Sequence, residues 1–197
     1  MKRLVVATGN AGKLREIRAL LEGLPVALVG LGDFPAVEMP EEGDDYRENA
    51  IAKARHVAAA TGCVAVADDS GLEVLGLGGR PGPLSARYGG PGLDDAGRVA
   101  HLLREMSALQ GDRRRARFVC VAAVATPAGS SESAEGSCPG AILHAPEGSG
   151  GFGYDPVFFA SGEGCAMARV PEARKNEISH RALAFQALRH AIESALA

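Results

Sequence analysis

Aromatic residues, cysteines and long apolar runs are all scarce in this chain of 197 residues. Aromatic residues make up 5% of the sequence and tryptophan is absent, so the chain has few rings that could stack on single-stranded nucleic acid. The formal net charge of -3 also argues against a broad basic face for polyanions. We therefore expect no nucleic-acid partner.

The cysteines are too few and too far apart to indicate a zinc site or a disulfide framework. No segment approaches the roughly 20 apolar residues of a membrane span, and the apolar run Leu4–Ala7 is too short for a secretion signal. We expect a soluble, cytoplasmic protein without a membrane partner. The only dense basic cluster, Arg113–Arg115, is interpreted as a solvated turn before a strand.

Hydrophobic periodicity predicts an α/β fold with a mixed sheet and flanking helices, because helices and strands alternate early and strands cluster later. We expect a single domain over residues 1–197, which is long enough to build its own core. Helices are predicted to begin near Lys13, Tyr46, Asp94 or Asp95, and Ser179. The predicted strands are Lys2–Ala7, Val26–Val29, Cys63–Ala67, Arg117–Thr126, Glu132–Gly136, Ala141–His144 and Val157–Ala160.

A glycine-containing segment, Thr8-Gly9-Asn10-Ala11-Gly12-Lys13, lies between the first predicted strand and helix. Backbone N–H groups at such a turn, the positive end of the helix and the Lys13 ammonium together form an anion site. Leu14 stands where a Walker A loop has its hydroxyl residue, so this is not that loop. A plain chain-reversing turn is the alternative.

Two adjacent carboxylates, Asp68 and Asp69, follow an apolar strand and precede Ser70-Gly71. Hard oxygen ligands suit Mg²⁺, and a carboxylate there is also placed to take a proton from an attacking water. Neighbouring side chains on a strand point to opposite faces, so we expect the two aspartates to have different tasks. The alternative is a turn that ends the strand.

An acidic segment around Glu41-Glu42 precedes a predicted helix that contains Glu48-Asn49 and Lys53. A carboxylate from this segment would complete a metal site. Glu48 is by default a surface residue favoured by the helix dipole. Lys53 faces either phosphate or solvent, and helical spacing does not decide between them.

Two further segments near the C-terminus contain residues suited to ligand binding. In Gly150–Pro156, glycines flank Phe152 and Tyr154, so a ring can lie flat against a base while Asp155 bonds the edge of the base. The segment Lys175–Arg181 gathers Lys175, His180 and Arg181 where the last helix is predicted to begin, against the helix dipole, which favours a functional role. A purely structural loop and a structural histidine are the alternatives.

Taken in order, these motifs resemble the non-canonical purine NTP pyrophosphatases, the family of inosine triphosphate pyrophosphatase (XTP/dITP diphosphatase) enzymes. The resemblance runs from residue 2 to the last helix. It rests on Thr8–Lys13, Glu41, Glu48–Ala50, Asp68–Leu72, Gly79, Pro81–Gly82, Ser85–Tyr88, Gly151–Pro156, Lys175–Asn176 and Ser179–Arg181.

The resemblance implies a two-lobed fold on a long mixed sheet with a central nucleotide cleft. It also implies a homodimer that uses Mg²⁺ to hydrolyse dITP, ITP and XTP to the monophosphate and pyrophosphate. Asp69 is expected to act as general base or metal ligand beside Asp68, with Glu41 (or Glu42) as metal ligand. The residues expected to contact substrate are Thr8, Gly9, Asn10, Ala11, Gly12, Lys13, Lys53, Ser70, Phe152, Gly153, Tyr154, Asp155, Lys175, His180 and Arg181.

Hydrogen bonding explains how such an enzyme selects its base. Hypoxanthine and xanthine present a 6-oxo acceptor where adenine presents an amino donor, so a protein donor at that point rejects adenine. We hypothesise that His180 or Arg181 helps to supply it. The competing interpretations are a related pyrophosphatase for modified pyrimidine or other nucleotides, and a nucleotide-binding module without turnover.

Overall fold

The computed structural model describes residues 1–197, with eight strands and five α-helices. The strands are β1 (Arg3–Val6), β2 (Ala27–Gly30), β3 (Val64–Val74), β4 (Pro81–Gly82), β5 (Arg115–Ala125), β6 (Ser131–Ile142), β7 (Phe158–Ala160) and β8 (Cys165–Ala166). The helices are α1 (Ala11–Leu20), α2 (Tyr46–Thr61), α3 (Asp95–Glu105), α4 (Glu172–Ile178) and α5 (His180–Leu196).

All strands belong to one mixed sheet in the order β2-β1-β3-β5-β6-β7-β8, with β4 paired to β3. The predicted α/β class and mixed sheet are therefore confirmed. The chain divides into two compact units, which are residues 1–69, 120–136 and 180–197 for the first and residues 70–119 and 137–179 for the second. That the whole chain forms a single domain stays a prediction. No helix combines the length and the apolar character that crossing a bilayer requires.

In the first unit, β1 lies between β2 and β3 and is parallel to both. Its side chains alternate between two apolar layers, as the period of two in a strand requires. Leu4 and Val6 pack with residues of α1 and α5, whereas Val5 and Ala7 pack with α2. Both faces of this part of the sheet are therefore covered by helices, as is usual for parallel strands.

Helix α2 is fixed by a cap at each end and by small side chains that pack against the sheet. The Asp45 side chain accepts a hydrogen bond from the Glu48 N–H, and Gly62 ends the helix in the left-handed conformation at φ 64°. The face towards the sheet consists of Ala50, Ala54, Val57 and Ala58. This helix therefore places its first turn beside the acidic segment that precedes it.

The second unit has antiparallel pairings, β3 with β4, β6 with β7 and β7 with β8. Its core is built around Leu72, Leu102, Met106 and the tilted ring pair Phe118–Phe158, whose centroids are 4.3 Å apart. Helix α3 begins after Asp94, whose side chain accepts from the Gly97 N–H. The predicted helix start at Asp94 or Asp95 is confirmed.

Two predicted boundaries are wrong. Asp68 and Asp69 do not end a strand, because β3 continues through them to Val74. Each side chain has polar partners on its own face, so the strand does not need to end there. The two strands predicted at Glu132–Gly136 and Ala141–His144 are one strand, β6, in which buried Gly136, Cys138 and Gly140 alternate with exposed neighbours. Because glycine and proline occupy several of these positions, the hydrophobicity of the sequence did not reveal this alternation.

The cationic segment before the last helix is also divided differently from the prediction. The last helix begins directly after Ser179, close to the predicted start, but Ser179 also ends a short helix, α4, that was not predicted, and Lys175 lies in the last turn of α4. A cation is favoured at that end of a helix, so the predicted dipole conflict does not apply to Lys175. His180 and Arg181 open α5.

Arg114 corrects the interpretation of Arg113–Arg115 as a solvated turn. Arg113 and Arg115 are exposed, but Arg114 is buried at 5% exposure. Its guanidinium donates to the carbonyls of Met106 and Leu109, after α3, and to those of Ile142 and Leu143, at the end of β6. The short 3-10 turn at 111–114 points this side chain inward, where it donates to carbonyls that follow α3 and end β6.

We predict that Arg114→Met lowers the free energy of unfolding by about 3 kcal/mol, because four carbonyls, three of them in buried residues, each lose a hydrogen bond. The matched control Arg113→Met removes an exposed cation from the same run and changes the free energy by less than about 0.5 kcal/mol. Urea unfolding followed by circular dichroism measures both. Equal stability of the two variants would contradict the structural role of Arg114.

Candidate active site

The turn between β1 and α1 has the geometry of an anion cradle. Asn10 caps α1 by accepting from the Lys13 N–H at 3.0 Å, and the Thr8 hydroxyl accepts from the Asn10 N–H at 3.2 Å. The first turn of α1 has no acidic residue, so its positive end is not neutralised locally. The N–H groups that the cap leaves unused are available to an anion.

Asp68, on β3, is the carboxylate with the most cationic surroundings. Its Oδ2 lies 3.1 Å from Lys13 Nζ and 3.0 Å from Arg181 Nη2, and it accepts from the buried Cys120 thiol at 3.7 Å. Burial by itself would raise the pKa of Asp68, but the nearby cations, above all Lys13 and Arg181, hold it far below its usual range. Asp68 is therefore a permanently charged anchor and a weak base.

Glu16 extends this cluster and was missed by the sequence analysis. Its Oε2 lies 2.5 Å from Arg181 Nη1, and both residues are almost fully buried. The series Glu16–Arg181–Asp68–Lys13 alternates in charge, and only Lys13 retains appreciable side-chain exposure, at 18%. The spacing of three residues between Lys13 and Glu16 on one helix was the available signal.

Asp69 points to the other face of β3 and has different partners. Its Oδ1 lies 3.2 Å from Lys53 Nζ, and its Oδ2 accepts from Asn49 Nδ2 at 2.8 Å. Burial raises the pKa of Asp69, although Lys53 and Asn49 act in the opposite direction. Lys53 remains a cation because Asp69 and its other acidic neighbours outweigh the effect of burial and raise its pKa. Of the two aspartates, Asp69 is the better proton acceptor.

The acidic segment before α2 brings Glu42, and not Glu41, into an ion pair. Glu42 Oε1 lies 2.8 Å from Lys53 Nζ, whereas Glu41 is exposed and its carboxylate has neither a hydrogen bond nor an ion pair. Gly43 is bound to Asn49 through both its N–H and its carbonyl. The segment that contains Glu41 is thus held near Asp69 by Asn49, while the Glu41 carboxylate itself makes no hydrogen bond.

The donor set of this region fits Mg²⁺. No group of three or more His, Cys, Asp or Glu side chains converges anywhere in the structure. Mg²⁺ does not require one, because it is commonly held by one or two carboxylates together with waters and substrate phosphates. Asp69 and Glu41 stay the predicted oxygen donors for such an ion.

In the second unit, the loop Gly150–Pro156 is organised by Asp155. This buried carboxylate accepts from the Phe152 N–H at 2.9 Å and lies 2.5 Å from Lys175 Nζ. A Cβ at Gly151, where φ is 71°, would lie 2.0 Å from Asp155 Oδ2, so only glycine fits there. Lys175 Nζ also lies 5.0 Å from the centre of the Phe152 ring.

Two members of this loop have their polar groups already engaged. Tyr154 is buried and its hydroxyl donates to the Ser85 carbonyl, and burial raises the pKa of this phenol. The Gly153 N–H donates to Asp95 at the start of α3. These bonds give Tyr154 and Gly153 a structural task, and their contact with substrate stays a prediction. Asp95 is a loop-supporting residue that the sequence analysis treated only as a possible helix cap.

The remaining predicted site residues are distributed over both units. His180 is buried in the first unit, and the start of α5 lies so close to β6 that a Cβ at Gly136 would come within 2.3 Å of the His180 carbonyl oxygen. Ser70 follows Asp69 on β3 and is half-buried. The first unit thus brings together Lys13, Lys53, Asp68, Asp69 and Arg181, and the second brings together Phe152, Asp155 and Lys175.

Comparison with known proteins identifies the family of this chain. The model of the Ham1 family matches residues 4–191. A dITP/XTP pyrophosphatase of Geobacter sulfurreducens is 48% identical over 190 residues, covering 96% of each chain. One from Thermus thermophilus is 50% identical over 187 residues, covering 94% of this chain and 89% of the relative.

Solved structures agree as well. A HAM1 protein from Coxiella burnetii superimposes with a TM-score of 0.86 at 36% identity and covers 98% of this chain and all of its own. A nucleoside-triphosphatase, or dITP/XTP pyrophosphatase, from Mycobacterium abscessus has a TM-score of 0.76 at 42% identity, covering 94% of this chain and 98% of its own. The fold is thus that of an α/β protein with a mixed sheet, which carries a pair of adjacent aspartates on β3. The chain belongs to the Ham1 family, which confirms the family expected from its motifs.

We predict that Glu16→Gln lowers the free energy of unfolding by about 3 kcal/mol, because Arg181 loses one partner of a buried ion pair. Glu22→Gln, an exposed change just beyond the end of α1, is the control and has an effect below about 0.5 kcal/mol. Urea titration of both variants compares them. If Glu16→Gln were as stable as the control, the alternating series of charges would not support the fold.

Proposed function

We propose that this protein hydrolyses non-canonical purine nucleoside triphosphates (dITP, ITP and XTP) to the monophosphate and pyrophosphate, and so removes deaminated purines from the nucleotide pool. The observation that carries the proposal is the pair of environments around Asp68 and Asp69, one a charge anchor for Lys13 and the other a buried carboxylate beside Lys53. The names of the relatives from Geobacter sulfurreducens and Thermus thermophilus support the substrate class.

In the proposed reaction, Asp69 orients a water and accepts its proton as the water oxygen attacks the α-phosphorus. The bond from that phosphorus to the bridging oxygen breaks, and pyrophosphate leaves with the electron pair. Lys13 and the N-terminal turn of α1 bind the phosphates and stabilise the charge that develops on the leaving group. Asp69 and Glu41 would hold a Mg²⁺ ion, which would supply Lewis-acid stabilisation of the phosphate oxygens.

Base selection follows from hydrogen-bond complementarity at the 6-position of the purine. A donor at this position pairs with the oxo group of hypoxanthine or xanthine and is left facing another donor when adenine is present. Arg181, one of the two candidate donors, has its guanidinium engaged by Glu16 and Asp68. His180 and Arg181 both stay proposed donors to this position of the purine.

Three further properties belong to the same proposal. Mg²⁺ is proposed as the metal because the available donors are carboxylate oxygens. A cytoplasmic location is proposed because all four cysteines are free thiols, which is usual in a reducing compartment. A homodimer is proposed from the resemblance to the family.

We predict that, with Mg²⁺, pyrophosphate is released chiefly from dITP and XTP when they are compared with dGTP, dATP and dUTP. Asp69→Asn is expected to reduce kcat for dITP at least about 100-fold, because the proton acceptor is lost. Pyrophosphate and orthophosphate are measured separately. Asp112→Asn changes an exposed residue that is distant in sequence from Asp69. It is the control and keeps the activity of the unmodified protein.

Other outcomes of this assay would contradict the proposal in different ways. Orthophosphate as first product would place cleavage at another phosphoanhydride bond. Preference for dUTP or another pyrimidine would favour the related pyrophosphatase that acts on such nucleotides. Tight triphosphate binding without turnover would favour a nucleotide-binding module.

We predict different metal dependence for the two neighbouring glutamates. Glu41→Gln is expected to raise the half-saturating Mg²⁺ concentration about tenfold or more, because it removes a direct oxygen ligand. Glu42→Gln, which keeps an acceptor oxygen for Lys53 but removes the charge, is expected to change this concentration less than about threefold. Steady-state rates over a Mg²⁺ series test both variants. The reverse order would assign the metal to Glu42.

A further inference from the structure

The buried side chain of Asn49 uses almost all of its hydrogen-bonding capacity on two neighbours. Its Oδ1 accepts from the Gly43 N–H at 2.8 Å. Its Nδ2 donates to the Gly43 carbonyl at 2.9 Å and to Asp69 Oδ2 at 2.8 Å. Both amide protons are used, and the alternative orientation of the amide would bring its oxygen against a carbonyl and a carboxylate.

These bonds close a ring. Asn49 connects Gly43 to Asp69, Lys53 connects Asp69 to Glu42, and Glu42 is joined to Gly43 by the chain. All members lie within the first unit. Because each bond fixes the geometry of the next one, loss of one member loosens the others, as expected for a buried polar network.

The need to cap helix α2 does not explain why position 49 is an asparagine. The cap is Asp45, whose side chain binds the Glu48 N–H, and Asn49 stands one turn inside the helix. Asparagine is a poor helix former there, and a buried amide is costly unless it is fully hydrogen-bonded. The asparagine at this position is explained by the hydrogen bonds with which its side chain joins Gly43 to Asp69.

We propose that Asn49 is a positioning residue that couples the acidic segment Glu41–Gly43 to Asp69. It holds the backbone of the segment in place and fixes the orientation of the Asp69 carboxylate at the same time. The catalytic consequence rests on the proposed function, whereas the structural consequence does not. Loss of Asn49 should therefore release the segment and slow the chemical step together.

The release of the segment is tested by limited proteolysis with an endoprotease that cleaves after glutamate. The chain is digested without metal or nucleotide, and mass spectrometry follows cleavage after Glu41 and Glu42. Cleavage after Glu22, which is exposed beyond α1, is the internal reference. We expect Asn49→Ala to accelerate cleavage after Glu41 and Glu42 at least about tenfold relative to this reference, because native-state cleavage follows local opening.

Asp45→Ala is the matched control. It removes the cap of the same helix but leaves the ring of Asn49, Gly43 and Asp69 intact, so it separates a frayed helix from a released segment. Asn49→Asp is the second variant. It keeps the size of the side chain but loses both donated bonds and places a carboxylate against Asp69, so it is expected to release the segment as well.

The catalytic consequence is measured with dITP. We expect both Asn49 variants to lower kcat about 10- to 100-fold while KM changes less than about threefold, because Asp69 is misoriented and the phosphate cradle is untouched. Asp45→Ala retains kcat within about threefold. A urea unfolding transition for each variant shows that it is folded.

The proposal is overturned if Asn49→Ala and Asn49→Asp are cleaved no faster than Asp45→Ala. It is also overturned if the segment is released but kcat is unchanged, since the segment and Asp69 would then be uncoupled. Failure of the proposed function has a different signature, because the unmodified protein would not turn over dITP while the effect of Asn49 on proteolysis would persist.

Discussion

The ion pair between Asp68 and Arg181 is the constraint around which the first unit is arranged. Both side chains are almost fully excluded from water, and an unpaired charge in that position would cost several kcal/mol. The pair fixes the start of α5 against β3, while Glu16 and Lys13 connect it to α1. Two helices and the central strand are thus held by a series of charges whose one accessible member, Lys13, lies in the first turn of α1.

The alternation of a β-strand explains how two adjacent aspartates come to differ. On one face of β3, Asp68 is surrounded by cations and stays ionised. On the other, Asp69 meets one lysine and one amide, and burial raises its pKa. Neither carboxylate needs special backbone geometry, because the step of one residue along the strand already separates an electrostatic anchor from a group suited to proton transfer.

The sequence predicted the class of fold and the family, because these depend on local patterns, while the roles of the site residues stay predictions. Strand alternation separated Asp68 from Asp69, and helical periodicity located α2 and α3. Patterns could not show that β3 runs through Asp69 or that Arg114 turns inward, since both depend on partners far away in the chain. The engagement of Arg181 by Glu16 likewise joins residues 165 positions apart.

The contact between Lys175 and Phe152 limits how the second unit can present its aromatic ring. The ammonium group lies 5.0 Å from the ring centre and is itself held by Asp155, so one side of the ring is covered by a fixed cation. A flat partner therefore cannot lie on that side of the ring. Because one face of the ring is covered, a planar molecule that reaches it has its orientation restricted before any hydrogen bond is formed.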